Sequence, residues 1–255
     1  MMRLFLLFLL CAGLPAAAAD LVPHRALYGM SLARAGSGIV SAEGQMLVVW
    51  ADACDSWTFE QRFRLRLSTG EGDEDSDMAI SFLSTEAKDG TGYRFIVTKD
   101  RSGEPREEVE GRAELGPQGG RARFTKPEVA ERALPRGASF PVGHTLLLIA
   151  EAERGTRFIS RRVFEGSEVE GAIEVSAVIG QKQPPAAGAK GLLARPGWPV
   201  RLAYFTEDSS QSEPDYEMSM VLLDNGVVAQ ALIDYRDFAV RARLIEVQAL
   251  PRQGC

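Results

Sequence analysis

The sequence has few of the residues on which catalytic and metal sites depend. Its 255 residues include two histidines and three cysteines. His24 and His144 lie in different segments, and no spacing of His and Cys fits a zinc site or a Cys-x-x-Cys redox pair. A Gly-x-Ser-x-Gly turn and a phosphate-binding loop are also missing. The sequence therefore predicts no enzyme activity, no cofactor and no bound metal.

One acidic run is similar to a calcium-binding loop but departs from it at two positions. Asp73, Asp75 and Asp77 alternate as the ligands of such a loop do. However, Met78 stands where the loop needs Gly, and Ser84 stands where it needs Glu. We therefore interpret the run as part of a solvated hairpin.

Basic residues are not in excess either. Lys and Arg number 29 against 35 Asp and Glu, which gives a formal net charge of −6. The basic residues are spread among the predicted strands without a continuous stripe, so we expect no nucleic-acid partner. A hydrophobic fraction of 45% is typical of a folded globular domain and not of a disordered chain.

Long apolar runs are restricted to the N-terminus. Residues 4–14 (LFLLFLLCAGL) follow Arg3 and are too few to span a bilayer. The small residues 16–19 come next, as before a cleavage site. This pattern predicts a secretory signal peptide over residues 1–19 and export to the periplasm.

A lipoprotein signal ending at Cys11 is the alternative interpretation of the N-terminus. Leu10 argues against it, because a small residue is expected before the lipidated cysteine. With cleavage after Ala19, we expect residues 20–255 to form a single domain, since neither half of the chain has an independent pattern.

Two cysteines remain after removal of the signal peptide, at nearly opposite ends of the mature chain. They are Cys54 and the last residue, Cys255. In an oxidising compartment this arrangement predicts one disulfide that ties the C-terminus to the start of the fold. The alternative is two unrelated thiols.

Period-two alternation of apolar and polar residues dominates the mature chain. Between residues 57 and 67, the apolar positions face one side and the polar positions the other, with Gln61 as the one polar residue on the apolar side. Asn225-Gly226 separates two further runs, which predicts a hairpin. We expect a dozen to fourteen strands in an antiparallel sandwich, barrel or spiral.

One helix is predicted within this all-β pattern. Residues 140–155 have Pro141 near the start and Gly155 at the end, and the segment is apolar over more than one face. A helix of this kind is buried on several sides, so we expect it to lie inside a curved sheet.

Several segments together resemble the EipB family of periplasmic cell-envelope integrity proteins of alphaproteobacteria. The most specific are residues 50–62 (WADACDSWTFEQR) and the terminal Cys255. The supporting segments are residues 21–28, 88–95, 134–144, 214–217, 225–226 and 234–238. The resemblance covers nearly the whole mature chain.

The resemblance implies a fold and a role. The fold is an incompletely closed antiparallel β-spiral of about fourteen strands, with one helix packed in its concave side. The resemblance also implies a disulfide between Cys54 and Cys255, and a role in maintaining the envelope under stress with a periplasmic partner built of tetratricopeptide repeats. The spiral is similar in shape to bacterial lipoprotein carriers. The resemblance to the family implies no catalytic residues.

Two functions are consistent with these observations. The first is a non-enzymatic, monomeric protein that binds a partner protein along a concave β surface or an open edge. The second is a carrier of lipid, lipoprotein or another hydrophobic ligand. The residues expected to line the groove in either case are Trp57, Phe59, Phe63, Met218 and Met220. The alternative is that these five side chains pack in the hydrophobic core and line no groove.

Overall fold

The computed structural model describes residues 21–36, 38–70, 75–206 and 213–255. The predicted signal peptide, with Cys11, and the acidic Asp73 lie outside these described residues. Within them the chain forms fourteen strands, one α-helix and one short 3-10 helix. No helix in the described part is both long and apolar enough to cross a membrane.

Most successive strands are joined by short turns, the helix follows the eighth strand, and a longer connection that contains the 3-10 helix joins β10 to β11. The elements are β1 (His24–Arg34), β2 (Ile39–Ala53), β3 (Ser56–Thr69), β4 (Ser76–Ala87), β5 (Gly92–Arg101), β6 (Glu107–Gly116), β7 (Gly119–Lys126), β8 (Ala130–Leu134), α1 (Pro141–Glu153), β9 (Phe158–Val163), β10 (Ile173–Ile179), the 3-10 helix (Gly191–Leu193), β11 (Gly197–Phe205), β12 (Tyr216–Leu223), β13 (Val228–Asp234) and β14 (Ala239–Ala249).

All fourteen strands described belong to one antiparallel sheet. Its order is β8-β7-β6-β5-β4-β3-β2-β1-β14-β13-β12-β11-β10-β9. The first and last strands pair with each other, so each half of the chain extends the sheet outward from the central β1–β14 ladder. The two end strands, β8 and β9, do not pair as a ladder. The predicted fold class, an incompletely closed antiparallel sheet with one helix, is confirmed.

Strand β3 has the two faces that its alternation predicts. Trp57 and Leu65 are buried, whereas Arg62, Arg64 and Arg66 on the opposite face are exposed. The inner, apolar face is the concave side that receives α1. Except at the bulges, side chains on this inner face alternate along each strand with side chains on the outer face.

The inner face forms three clusters of buried residues. The helix cluster joins α1 to Trp57 and to β9–β12. The aromatic cluster lies on β5–β8 and the segments next to α1 and β9. The third cluster lies on both sides of the β1–β14 ladder.

Two glycines make room for the ring at the centre of the aromatic cluster. A Cβ at Gly111 would lie 2.6 Å from Phe95 Cζ, and a Cβ at Gly166 would lie 2.7 Å from the same ring. Gly166 also has a φ of +75°, which disfavours any other residue. The ring of Phe95 therefore packs directly against the backbone at both glycines.

Helix α1 lies where the sequence predicts it. It begins at Pro141, whose missing N–H leaves no bond unmade in the first turn, and Gly155 follows its end with a φ of +81°. Its buried residues are Val142, His144, Leu148, Ile149 and Ala152. Burial on several sides explains why the segment is apolar over more than one face.

The Asn225-Gly226 hairpin between β12 and β13 is also present. Gly226 has a φ of +87°, and Asn225 is buried. Asn225 donates from Nδ2 to the carbonyl of Leu192 at 2.8 Å, and its own carbonyl accepts the N–H of Val22 at 3.0 Å. The turn thus anchors the chain that leads into β1.

A disulfide joins Cys54 to Cys255, with the two Cα atoms 5.9 Å apart. Cys54 lies in the turn between β2 and β3, where its N–H donates to Asp52 Oδ1 at 3.1 Å. The C-terminal segment follows β14 and reaches this turn after the N–H of Leu250 donates to the carbonyl of Pro23 at 2.8 Å. The bridge closes a loop with a sequence separation of 201 residues.

We expect Cys54→Ser to lower the free energy of unfolding by about 2–4 kcal/mol, because the cross-link restricts a long loop in the unfolded chain. Thermal melting of the oxidised wild type and the variant measures the effect. Reductant should lower the melting temperature of the wild type and leave that of the variant unchanged. Equal melting temperatures in all four samples would contradict a stabilising bridge.

Candidate binding surface on the concave face

An aromatic row remains partly open on the concave face beside α1. Phe59 lies next to Trp50 on β2, with ring centroids 4.9 Å apart, and next to Phe82 on β4, with centroids 5.8 Å apart. All three side chains are only partly buried. Apolar rings that face a concavity and keep some solvent exposure form a surface on which an apolar ligand could bind.

The five residues predicted to line a groove are divided between filled core and this open part. Trp57 is 6% exposed and packs in the helix cluster, so it offers no open surface. Phe59 points to the open part. Phe63 is partly buried against the third cluster.

The two predicted methionines lie on the other side of the concavity. Met218 and Met220 on β12 are partly buried and contact both the helix cluster and the third cluster. They therefore lie between the filled part of the concave face and the β1–β14 ladder. Their thioether side chains are flexible, so this part of the lining can adapt its shape.

Glu86 is the inward-facing residue that the sequence analysis missed. It is 2% exposed, and on neighbouring strands it lies opposite Trp57 and Tyr93. Its carboxylate accepts the N–H groups of Val142 and Gly143, each at 2.7 Å. These donors belong to the first turn of α1, where N–H groups have no partner within the helix. Glu86 thus caps the helix from the sheet.

Burial raises the pKa of the Glu86 carboxyl from 4.5 to about 7, because the charged form loses its hydration. The two backbone N–H donors act in the opposite direction and hold the pKa below what burial alone would give. The cap is therefore a group that changes charge near neutral pH.

Both histidines are buried, and burial favours the uncharged form of each ring. His24 Nδ1 lies 2.7 Å from the carbonyl of Val22, and burial lowers the pKa of the ring. Burial lowers the pKa of His144 to about 4, with a further contribution from Arg161. The Nε2 atom of His144 has no hydrogen-bond partner among the described residues.

The part of the chain that the structure describes contains no group of three His, Cys, Asp or Glu side chains close enough to hold a metal ion. Asp77 instead binds Arg66 at 2.9 Å, and Asp75 accepts from Ser68 at 2.7 Å. Apart from the partly buried Gln61, the open side chains described above on the concave face are aromatic or thioether, so this face is suited to reversible binding of an apolar group.

A family model described as EipB-like matches residues 15–251 of this chain. The chain belongs to the EipB-like family. Among curated proteins, it is 30% identical over 243 residues to the cell envelope integrity protein EipB of Brucella abortus (strain 2308), a match that covers 91% of this chain and 85% of that one. The resemblance to the EipB family that the sequence indicates is confirmed.

The EipB-like fold is also found in a solved structure. A crystal structure of a β-barrel-like protein of unknown function from Brucella abortus superposes with a TM-score of 0.84 at 30% identity, covering 91% of this chain and 99% of that one. Membership of an EipB-like family is consistent with a role in cell-envelope integrity and a location in the cell envelope.

The buried cap makes a pH-dependent prediction. Because the folded-state pKa of Glu86 is raised, the folded protein binds this proton more tightly than the unfolded chain does, and its contribution to stability falls as pH rises from about 4.5 to about 7. Relative to the wild type, Glu86→Gln should gain up to about 3 kcal/mol in unfolding free energy over this range.

Urea unfolding of both proteins at several pH values measures this difference. Glu131→Gln, which changes an exposed residue of β8, is the control and should follow the wild-type profile. A constant difference between the wild type and Glu86→Gln at all pH values would refute the assignment of the titrating group.

Proposed function

We propose that this protein is a non-enzymatic periplasmic protein that supports cell-envelope integrity by binding a partner protein on its concave face. The partner that we propose is a helical protein of the tetratricopeptide-repeat type. The observation that carries the proposal is the partly exposed ring of Phe59 in a row of aromatic side chains. The name of the Brucella relative supports the role in envelope integrity.

The concave face already accommodates one helix, which supports a helical partner. Leu148 and Ile149 of α1 pack against the inner face of the sheet within the helix cluster. A second amphipathic helix could lie beside α1 with its apolar side against Phe59, as in other helix-in-groove complexes. Helical-repeat proteins are built of stacked helix pairs, so they contain helices of the length this face accommodates.

Two observations support the periplasm. The N-terminal pattern of the sequence predicts a signal peptide. The bond between Cys54 and Cys255 belongs to an oxidising compartment, because cytosolic reductants keep thiols reduced.

A carrier of an acyl chain, from a lipid or a lipoprotein, is the second candidate. The position of Met218 and Met220 favours it, because flexible thioethers at the border of an apolar surface fit ligands of varied shape. The same face would serve both functions, so one set of variants tests both.

We expect Phe59→Arg to weaken capture of the partner by about tenfold, since a charge replaces an apolar contact at the centre of the surface. Leu83→Arg is the matched control, because Leu83 lies on the neighbouring strand β4, is 46% exposed and faces outward. Affinity capture from crosslinked periplasm with all three proteins, read by mass spectrometry for both proteins and lipids, measures the effect.

The result separates the two candidates. A repeat protein that is retained by the wild type and by Leu83→Arg but lost from Phe59→Arg supports partner binding. Stoichiometric lipid or acylated lipoprotein that is retained by the wild type and by Leu83→Arg but lost from Phe59→Arg supports the carrier. Retention of the same molecules by all three proteins would reject the concave face as the binding surface.

A further inference from the structure

The outer face of the sheet contains two adjoining grooves lined by arginine. The larger, of about 1110 Å³, crosses β1 to β5, and Arg25 and Arg64 are among its lining residues. The smaller, of about 400 Å³, lies on β11 to β14 and includes Arg241 and Arg243. The grooves adjoin at the central ladder, because Arg241 is the register partner of Ser31, which lines the larger groove.

These four arginines have neutral neighbours across the strands. Arg64 lies between Gln45 and Ala79, and Arg243 lies between Gly29 and Gln230. Arg241 and Arg25 also have neutral neighbours. Arg241 lies between Ser31 and Leu232, and Arg25 lies between Gln248 and Val49. Within the described part of the chain, none of the four makes an ion pair, although the charge of Arg64 lies near enough to Asp77 to help lower the pKa of that carboxyl.

Some cations elsewhere on the outer face have acidic partners. On β7, Arg123 binds Glu131 at 3.0 Å. Lys126 at the end of the same strand binds Glu108 and Glu110, at 3.0 Å and 3.2 Å. Arginines that line a groove without such partners have unused donors that fit carboxylate groups in bidentate geometry.

The spacing of the arginines indicates the shape of a complementary ligand. Arg64 and Arg243 are at the same level, separated by Gln45 on β2 and Gly29 on β1, so their Cα atoms are about 14 Å apart. The strip between them is the outer face of β1 and β2. Arg241 and Arg243 are two residues apart, about 6.6 Å, which is also the repeat of alternate side chains in an extended peptide.

We propose that this strip binds an extended acidic segment of a partner protein, with alternate carboxylates held by Arg64 on one side and by Arg241 and Arg243 on the other. Leu27 and Leu47, which also line the larger groove, supply an apolar floor for the intervening side chains. Glu43 lies at the level of Arg241 and marks the end of the strip.

A protein segment is favoured over an anionic membrane by shape and by charge. A slender chain can enter a groove, whereas a bilayer presents a broad surface. The chain as a whole has a net charge of −6, so an anionic membrane would repel it while a local segment is attracted by the nearby guanidinium groups. Of the three acidic residues that line the larger groove, Asp77 and Asp100 lie on the far side of Arg64 from the strip, and Glu43 lies at the end of the strip.

The test uses a fluorescent peptide of alternating Glu and Ser, with a Gln and Ser peptide as the uncharged control. Fluorescence anisotropy should show that the acidic peptide binds the wild type and that added salt weakens this binding. Arg64→Gln with Arg243→Gln should weaken it about tenfold or more, because two charge-assisted contacts are removed. Thermal melting checks that each variant is folded.

The control is Arg123→Gln with Lys126→Gln, which changes the net charge equally at two cations that already have acidic partners. It should bind the peptide within about twofold of the wild type, since only the groove arginines contact the ligand. Failure of the wild type to bind at low salt, or an equal loss in both double variants, would overturn the proposal.

Two further measurements separate the arginine strip from the concave face and from a lipid site. Phe59→Arg should bind the acidic peptide as the wild type does, because the concave face lies on the other side of the sheet; the two proposals therefore fail independently. Binding to phosphatidylglycerol vesicles that is lost in the groove double variant, without peptide binding, would assign the arginines to lipid headgroups and overturn the protein-segment proposal.

Discussion

The contact between Glu86 and the first turn of α1 decides which part of the concave face is filled. Glu86 lies on β4 in the middle of one half of the sheet, and its carboxylate holds the N–H groups of Val142 and Gly143. The helix therefore begins over Trp57 and buries it, and its later turns pack against strands of the other half. Phe59, the next inward residue along β3, keeps contact with aromatic neighbours on the sheet but stays partly exposed. One buried carboxylate thus separates the core from the candidate binding surface.

The helix connection also protects one end of the sheet. A sheet that does not close leaves unpaired backbone groups on its end strands, which invite unwanted pairing. Ser139, just before α1, pairs with the chain at the end of β9: its N–H donates to the carbonyl of Arg162 at 3.0 Å, and its carbonyl accepts the N–H of Phe164 at 2.9 Å. Among the central strands of the sheet, the disulfide fixes the C-terminus beside the turn between β2 and β3. The sheet therefore stays open between β8 and β9, while the segment before α1 pairs with the end of β9.

The sequence predicts what depends on local pattern and misses what depends on register. Alternation predicts the strands, and Pro141 with Gly155 predicts the helix, because each signal is contained in a short stretch of chain. Glu86 was missed although it continues the inward positions of β4 after Phe82 and Ser84. Its partner is a helix terminus more than fifty residues away, which no local pattern shows. The arginine strip was missed for the same reason, since it requires the pairing of β1 with β14 across the length of the chain.

The two proposed binding surfaces lie on opposite faces of the sheet and differ in their chemistry. Period-two alternation places apolar and polar side chains on opposite sides of the same strand, so β3 supplies Phe59 to the concave face and Arg64 to the outer face. An apolar ligand on one side and an acidic segment on the other would not compete for side chains. A single partner that offers both an apolar helix and an acidic extended segment could therefore contact this protein twice, and the second contact would form at the high local concentration set by the first.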